Sequence, residues 1–105
     1  MYASTRRYTF KTSMDQKSLD AYKGRLESKF VPMIQSIRGL HSYYLAKVSD
    51  KKLIGFGIFD DKEGAAESSR RAADFVKNDP SKDQIGTPEI IEGELWILRE
   101  APVTA

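Results

Sequence analysis

Hydrophobic and polar residues alternate, or recur with a regular period, in successive segments of the chain, and each segment predicts one element of secondary structure. Residues 2–11 alternate as a half-buried strand does. Apolar residues then recur every three or four positions over 19–37, which predicts an amphipathic helix. Ser13 and Gln16 have the capping-box spacing that begins such a helix, and Pro32 predicts a kink or a restart inside it.

The middle of the chain predicts a β-hairpin, because two runs rich in aromatic and branched residues flank a short polar turn. Strand side chains alternate, so Tyr43 shares a face with His41 while Tyr44 points to the opposite face. Alternation alone leaves open which tyrosine faces a pocket. In the second run, Gly55 and Gly57 leave a strip without side chains, which a helix, a partner strand or a ligand could approach closely.

A second helix and a last strand complete the pattern. Asp60 and Glu63 have capping-box spacing, and small residues follow at helical spacing, so the helix could lie close to a sheet. The expected buried side of this helix consists of Ala65, Ala66, Ser69, Ala72, Ala73 and Val76. Residues 89–99 then alternate as one long strand, in which Trp96 faces the same side as Ile90.

The order strand, helix, strand, strand, helix, strand predicts an α+β, ferredoxin-like βαββαβ sandwich formed by the single domain 1–105. Its four-stranded sheet would be antiparallel and would carry both helices on one face. The other face then needs a cover. A second subunit that packs sheet to sheet would supply it, so we expect a homodimer.

Composition excludes several kinds of site. The chain has no cysteine and a single histidine, His41, so disulfides and thiolate catalysis are excluded and a metal site would lack a second imidazole. No dinucleotide or phosphate-binding fingerprint occurs, and we expect neither metal nor cofactor. No segment has the apolar core of a signal peptide or the length of a membrane span. We therefore expect a cytoplasmic protein with no membrane partner.

The charges do not indicate a nucleic-acid partner. The net charge of +2, from 17 basic and 15 acidic residues, is too balanced to predict binding to a polyanion. The glycine-rich stretch around Phe56 has a superficial likeness to an RNA-recognition strand, but only Phe56 could stack on a base. Two pairs of like charges, Arg6 with Arg7 and Glu92 with Glu94, are interpreted as side chains on the solvent-exposed surface.

Three stretches, 39–44, 58–65 and 67–76, resemble the corresponding blocks of the antibiotic biosynthesis monooxygenase superfamily, and are closest to its small, uncharacterised bacterial members. The resemblance implies a dimeric α+β barrel with a pocket between helices and sheet in each subunit. Active members oxidise polycyclic aromatic substrates with dioxygen and without metal or flavin. This chain departs from the pattern at Ser69, where relatives carry Asn, and at Phe75, where they carry Trp.

These features together suggest a homodimeric barrel that binds a small apolar or aromatic molecule. The activity that the resemblance implies is cofactor-independent monooxygenation of an aromatic or polyketide-like substrate. The candidate catalytic residues are Tyr43, Tyr44 and Ser69, and the candidate ligand-binding residues are Phe75, Trp96, Phe56 and His41. The alternative is a non-catalytic ligand-binding or interaction protein of the same fold in which the chemistry has been lost.

Overall fold

The structure, a computed structural model, describes residues 1–101 of the chain. Its elements follow in the order β1 (Tyr2–Thr9), α1 (Gln16–Arg25), a π-helical segment (Leu26–Phe30), α2 (Val31–Gln35), β2 (Leu40–Ser49), β3 (Lys52–Phe59), α3 (Lys62–Asn78), a 3-10 turn (Lys82–Gln84) and β4 (Glu89–Glu94). Within the described part of the chain, no helix is both long enough and apolar enough to cross a membrane.

The four strands form one sheet in the order β2-β3-β1-β4, and every neighbouring pair is antiparallel. This is the strand order of a ferredoxin-like sandwich, so the predicted fold is confirmed. The register places Arg6, near the middle of β1, opposite Gly55 of β3 and Ile90 of β4. The residues of this row share the sheet face that carries the helices.

The core lies between this face of the sheet and the helices. It contains the apolar stripe expected of the first helical region, together with alternate residues of β1 and β3. Its fully or nearly buried members are Tyr8, Phe10, Tyr22, Leu26, Phe30, Ile34, Ile37, Leu53, Phe59, Ala65, Ala72, Phe75 and Ile85. Phe75 packs against Phe30 and Tyr22, with ring centroids 5.3 and 6.4 Å apart.

The first helical region begins near the expected place, but it does not restart at Pro32. Its N-cap is Asp15, whose carboxylate accepts a hydrogen bond from the Ser18 amide at 2.7 Å, and not Ser13. The backbone stays right-handed helical from α1 through the π-helical segment Leu26–Phe30 into α2, and the Val31 amide donates to the Leu26 carbonyl across the junction. A π-helix has more residues per turn than an α-helix, so it keeps apolar residues spaced by four on one face.

The second helix is rotated relative to the sequence expectation. Its N-cap is Asp61, whose carboxylate accepts the Gly64 amide at 3.0 Å, and not Asp60. Its buried residues are Gly64, Ala65, Ser68, Ala72 and Phe75, whereas Ala73 is exposed. A Cβ at Gly64 would lie 3.1 Å from Phe59 Cβ, so this glycine allows the helix to approach β3 closely.

The last strand is shorter than the predicted span 89–99. It pairs only with β1, and its last residue, Glu94, lies opposite Tyr2 at the start of that strand. Beyond this point the Leu95 amide donates to the Met1 carbonyl at 3.0 Å, and no regular element follows within the described residues. The predicted span is too long because a strand needs a neighbouring strand to pair with, and β1 pairs with β4 only over residues 2–7.

The sheet face opposite the helices is apolar and uncovered. Tyr44 of β2 and Ile91 of β4 are each more than half exposed there, and Phe56 of β3 is half-buried beside Tyr44. A contiguous apolar face of this kind is uncommon on a monomer.

Candidate functional site

A buried arginine lies at the centre of the space between sheet and helices. The Arg6 side chain is 2% exposed and donates hydrogen bonds to four hydroxyls, of which the bond to Ser69 Oγ is the longest at 3.4 Å. Arg6 Nε donates to Tyr8 Oη at 3.1 Å, Nη1 to Ser68 Oγ at 2.8 Å and Nη2 to Tyr43 Oη at 2.9 Å. The Arg6 Cζ atom also lies 5.6 Å from the centroid of the Tyr43 ring. Residues from β1, β2 and α3 thus fix the guanidinium in one orientation.

The glycines of β3 make room for this arrangement. A Cβ at Gly55 would lie 2.5 Å from Tyr43 Oη. A Cβ at Gly57 would lie 2.7 Å from Phe59 Cε2 and 3.1 Å from Tyr43 Cδ2. The strip without side chains is therefore occupied by the Tyr43 ring from the neighbouring strand and, at Gly57, also by the Phe59 ring. This contact directs the Tyr43 hydroxyl towards Arg6.

No carboxylate of the described residues lies within 4.0 Å of the Arg6 guanidinium nitrogens. The Glu92 carboxylate is reached only through a serine. Ser69 Oγ donates to Glu92 Oε1 at 2.8 Å and lies 3.4 Å from Arg6 Nη1, and Ser4 Oγ donates to Glu92 Oε1 at 3.3 Å. A buried charge without a direct counter-ion is costly, so this guanidinium is well suited to binding an anion.

A cleft of about 430 Å³ opens beside Arg6, between α3 and residues 82–90. Its inner wall carries Arg6, Tyr8 and Ser69, and its other walls are mostly apolar. The remaining lining residues are Ala73, Val76, Lys77, Lys82, Asp83, Ile85, Gly86, Thr87, Pro88 and Ile90. The volume is within the range of about 300 to 1,000 Å³ that is typical of small-molecule sites.

The two tyrosines that contact Arg6 remain protonated at neutral pH. Burial raises the pKa of the Tyr8 and Tyr43 hydroxyls above the ordinary value of 10.0, although the positive charge of Arg6 acts in the opposite direction. Each hydroxyl therefore accepts a hydrogen bond from Arg6 and retains a proton of its own. The polar part of the site thus combines a fixed cation with neutral hydroxyls.

Of the candidate catalytic residues, the structure brings two to this cluster. Tyr43 lies on the helix-facing side of the sheet and contacts Arg6, and Ser69 lines the cleft. Tyr44 lies on the opposite, uncovered face and is 64% exposed. The question of which tyrosine faces the interior is therefore answered in favour of Tyr43. The catalytic roles of these residues stay predictions.

The candidate ligand-binding residues are not gathered at the cleft. Phe75 is buried in the core, and Phe56 lies on the uncovered face of the sheet. Trp96 lies beyond the end of β4 and is 89% exposed, so the expectation that it lies on the same strand face as Ile90 is wrong. That expectation depended on a strand that continues past Glu94.

His41 also departs from its expected position. A β-bulge between Leu40 and Ser42 makes His41 an extra residue at the start of β2, so it does not follow the face of Tyr43. The exposed His41 ring lies 2.5 Å from the Asp60 carboxylate, measured from Nε2 to Oδ1. Within residues 1–101, no group of three or more His, Asp or Glu side chains could hold a metal ion.

Sequence reasoning missed the residues that build the site. Arg6 and Glu92 were assigned to the solvated surface, yet Arg6 is buried and Glu92 is half-buried against Ser69. Strand alternation contained the signal for Arg6, because residue 6 shares a face with Tyr8 and Phe10, both of which enter the core. Charged side chains are mostly exposed in proteins, and this general tendency led to the assignment of Arg6 to the surface.

Known structures share this fold, although no family model and no curated protein sequence matches the chain significantly. The NE2512 protein of Nitrosomonas europaea, of unknown function, superposes with a TM-score of 0.69 at 17% identity, covering 96% of this chain and 94% of that one. A monooxygenase from the gene ActVA-Orf6 of Streptomyces coelicolor, solved with nanaomycin D, gives a TM-score of 0.62 at 9% identity and coverages of 94% and 92%.

SnoaB of Streptomyces nogalater, described as a cofactor-independent oxygenase, gives a TM-score of 0.57 at 10% identity, with coverages of 95% and 94%. At such identities the likeness establishes the fold alone. The chain therefore has the antibiotic biosynthesis monooxygenase-like fold that the sequence resemblance implied.

Proposed function

We propose that the chain binds a small aromatic or polyketide-like molecule in the cleft beside α3, with an acidic phenol or enol oxygen against Arg6. The observation that carries this proposal is the buried guanidinium, which is fixed by hydroxyls and has no direct carboxylate partner. A charge held in a partly dehydrated site stabilises an anion more strongly than the same charge does in water. The apolar cleft walls would contact the carbon skeleton.

The activity we propose is cofactor-independent monooxygenation. The substrate's own enolate or phenolate would supply the electrons to dioxygen, so the protein would have to exclude water, orient the substrate and stabilise the anion. Arg6 would stabilise the anion, Tyr43 would position Arg6, and Ser69 would contact the ionised oxygen atom of the bound substrate. The fold that the chain shares with two oxygenases supports this activity.

The proposal includes a homodimer. The uncovered sheet face carries Tyr44 and Ile91 in exposed positions and Phe56 between them, and a second copy packed on it would remove this apolar area from water. A specific interface needs about 1,000 Å² or more of buried surface. Light scattering should give twice the chain mass of 11.9 kDa. A mass equal to a single chain at micromolar concentration would contradict the dimer.

The test of the site compares Arg6→Met with Arg70→Met. Arg70 is an exposed arginine of α3 that lies neither in the cleft nor on the uncovered sheet face, and it pairs with Glu67, so it is a control for the loss of one positive charge. Wild-type protein should consume dioxygen with a tricyclic hydroxyanthrone and no added metal, flavin or nicotinamide. Loss of a preorganised charge at a developing anion lowers kcat by about 10² to 10³, and we expect this for Arg6→Met. Arg70→Met should retain wild-type turnover.

Arg6→Met could also unfold the protein, so Arg6→Lys is measured beside it. This variant keeps the charge but loses the planar fork that contacts Tyr8, Ser68 and Tyr43. Folding of each variant is checked by thermal unfolding. A folded Arg6→Met variant that turns over and binds as the wild type does would refute the site.

A second candidate is a non-catalytic ligand-binding protein. The observation that favours it is the position of Phe75, which stands where relatives carry Trp and is buried in the core outside the cleft. The same experiment separates the two functions. Saturable binding of the hydroxyanthrone that depends on Arg6, without consumption of dioxygen, would establish the non-catalytic function.

A further inference from the structure

The chain Arg6–Ser69–Glu92 joins a buried cation to a half-buried carboxylate through one hydroxyl. Ser69 has a single proton, which it donates to Glu92 Oε1 at 2.8 Å, and its oxygen lies 3.4 Å from Arg6 Nη1. Ser69 lines the cleft, whereas Glu92 does not. A ligand oxygen placed against Arg6 would therefore lie beside Ser69 and would reach Glu92 only through it.

We propose that Glu92 is the proton acceptor of this site, and that the ligand enters as a neutral phenol or enol and not as a carboxylate. This inference rests on the proposed function. Arg6 and Glu92 are opposite charges that cancel, and a neutral acid that gives its proton to Glu92 leaves their sum unchanged. The other charged residues that line the cleft, Lys77, Lys82 and Asp83, are exposed, so solvent screens their effect on a ligand bound at Arg6. A ligand that arrives as an anion would instead add a negative charge next to Glu92, which opposes its binding.

The proton transfer is balanced within the site. The ligand O–H bond breaks and its proton passes to Ser69 Oγ, while the original Ser69 proton passes to Glu92 Oε1. The electron pair of the broken bond stays on the ligand oxygen, where it is stabilised by Arg6. Glu92 becomes neutral, Ser69 is regenerated, and Ser4 Oγ, which lies 3.3 Å from the same Glu92 oxygen, can hold the protonated carboxyl in place.

The experiment uses 2-naphthol and 2-naphthoate, which share a ring system but carry a neutral acid or a carboxylate at neutral pH. Affinities are measured by calorimetry at pH 7, and the absorbance of bound 2-naphthol shows whether it is ionised. Wild-type protein should bind 2-naphthol more tightly than 2-naphthoate, and the bound naphthol should show the naphtholate band. The matched variants are Glu92→Gln and Glu94→Gln, since Glu94 is exposed, lies on the same strand and makes no hydrogen bond to Ser69.

Glu92→Gln should move the two affinities in opposite directions. We expect 2-naphthol to bind about tenfold more weakly, because it loses its proton acceptor, and 2-naphthoate to bind about tenfold more tightly, because a negative charge is removed. The naphtholate band should disappear. Glu94→Gln should leave both affinities within about twofold of the wild type. Ser69→Ala should also remove the naphtholate band, because Ser69 is the hydroxyl through which the ligand proton reaches Glu92. The gain in 2-naphthoate affinity expected for Glu92→Gln cannot result from damage to the fold.

The failure of this inference is distinct from the failure of the proposed function. If Arg6→Met leaves the binding of both probes unchanged, the anion site itself is refuted. If Arg6→Met abolishes binding but Glu92→Gln changes both affinities in the same direction, or bound naphthol stays ionised in that variant, then Glu92 is not the proton acceptor. A wild-type preference for 2-naphthoate would also overturn the inference.

Discussion

Gly55→Ala should destabilise the protein through a single contact with Tyr43. The added Cβ would lie 2.5 Å from Tyr43 Oη, whereas ordinary van der Waals contacts fall at 3.4–4 Å, so the ring has to move by about 1 Å. Such a shift lengthens the 2.9 Å hydrogen bond that Arg6 Nη2 donates to Tyr43 Oη. Overpacking costs about 1–3 kcal/mol, and a hydrogen bond to a charged group contributes about 1.5–3 kcal/mol.

Alanine gains about 0.5–1 kcal/mol over glycine in a strand, so we expect a net loss of about 2–4 kcal/mol in the free energy of unfolding of Gly55→Ala. The assay is urea denaturation followed by circular dichroism at one fixed protein concentration, because a dimer's stability depends on concentration. The midpoint should fall while the slope stays constant. Gly24→Ala in α1 is the control, since a Cβ at Gly24 would also meet nothing within 4 Å and the residue lies away from the uncovered sheet face, so this variant should be no less stable than the wild type.

The double variant with Tyr43→Phe isolates the contact. Phenylalanine lacks the hydroxyl, and the next nearest atom, Cζ, would lie 3.4 Å from the new Cβ. Gly55→Ala should therefore cost less than about 1 kcal/mol in the Tyr43→Phe background, a coupling of at least about 1 kcal/mol. An equal cost in both backgrounds would show that the hydroxyl contact does not decide the effect, and the assignment of Gly55 as the space for Tyr43 would be wrong.

Two further predictions concern the ends of α3 and β4. Asp79 is buried and accepts two hydrogen bonds from Arg25, at 2.8 and 3.1 Å. Burial alone would raise the pKa of Asp79, but the hydrogen bonds from Arg25 and Ser81 outweigh it and lower the pKa below the ordinary value of 3.8. The contribution of Asp79 to stability is present above pH 3.8 and is lost as the pH falls through the lower folded-state pKa. Asp79→Asn should therefore flatten this part of the wild-type acid unfolding curve and lower the stability at pH 7 by about 1.5–3 kcal/mol, and an unchanged curve would contradict the role of the pair. Trp96 is the only tryptophan and lies outside the cleft, so its fluorescence should not change when 2-naphthoate saturates the site, and a saturable change that depends on Arg6 would place it at the ligand.

The sequence by itself determined the order and type of the elements. Alternation predicts β1 and the hairpin, and the spacing over residues 19–37 predicts the buried stripe of the first helical region. These features are set by neighbours along the chain, because the period of apolar residues has to match the geometry of a helix or a strand. The order of elements then leaves few topologies, and the ferredoxin-like sheet is one that satisfies it.

Only the tertiary structure decided which residues form the site. Arg6 contacts Tyr43 and Ser68, which are 37 and 62 positions away, and Ser69 contacts Glu92 across two different elements. Whether a polar side chain is buried depends on such distant partners, since an arginine enters a core only where hydroxyls or charges compensate its lost hydration. The exact end of β4 and the bulge at His41 were decided in the same way, because both depend on where a neighbouring strand begins and ends.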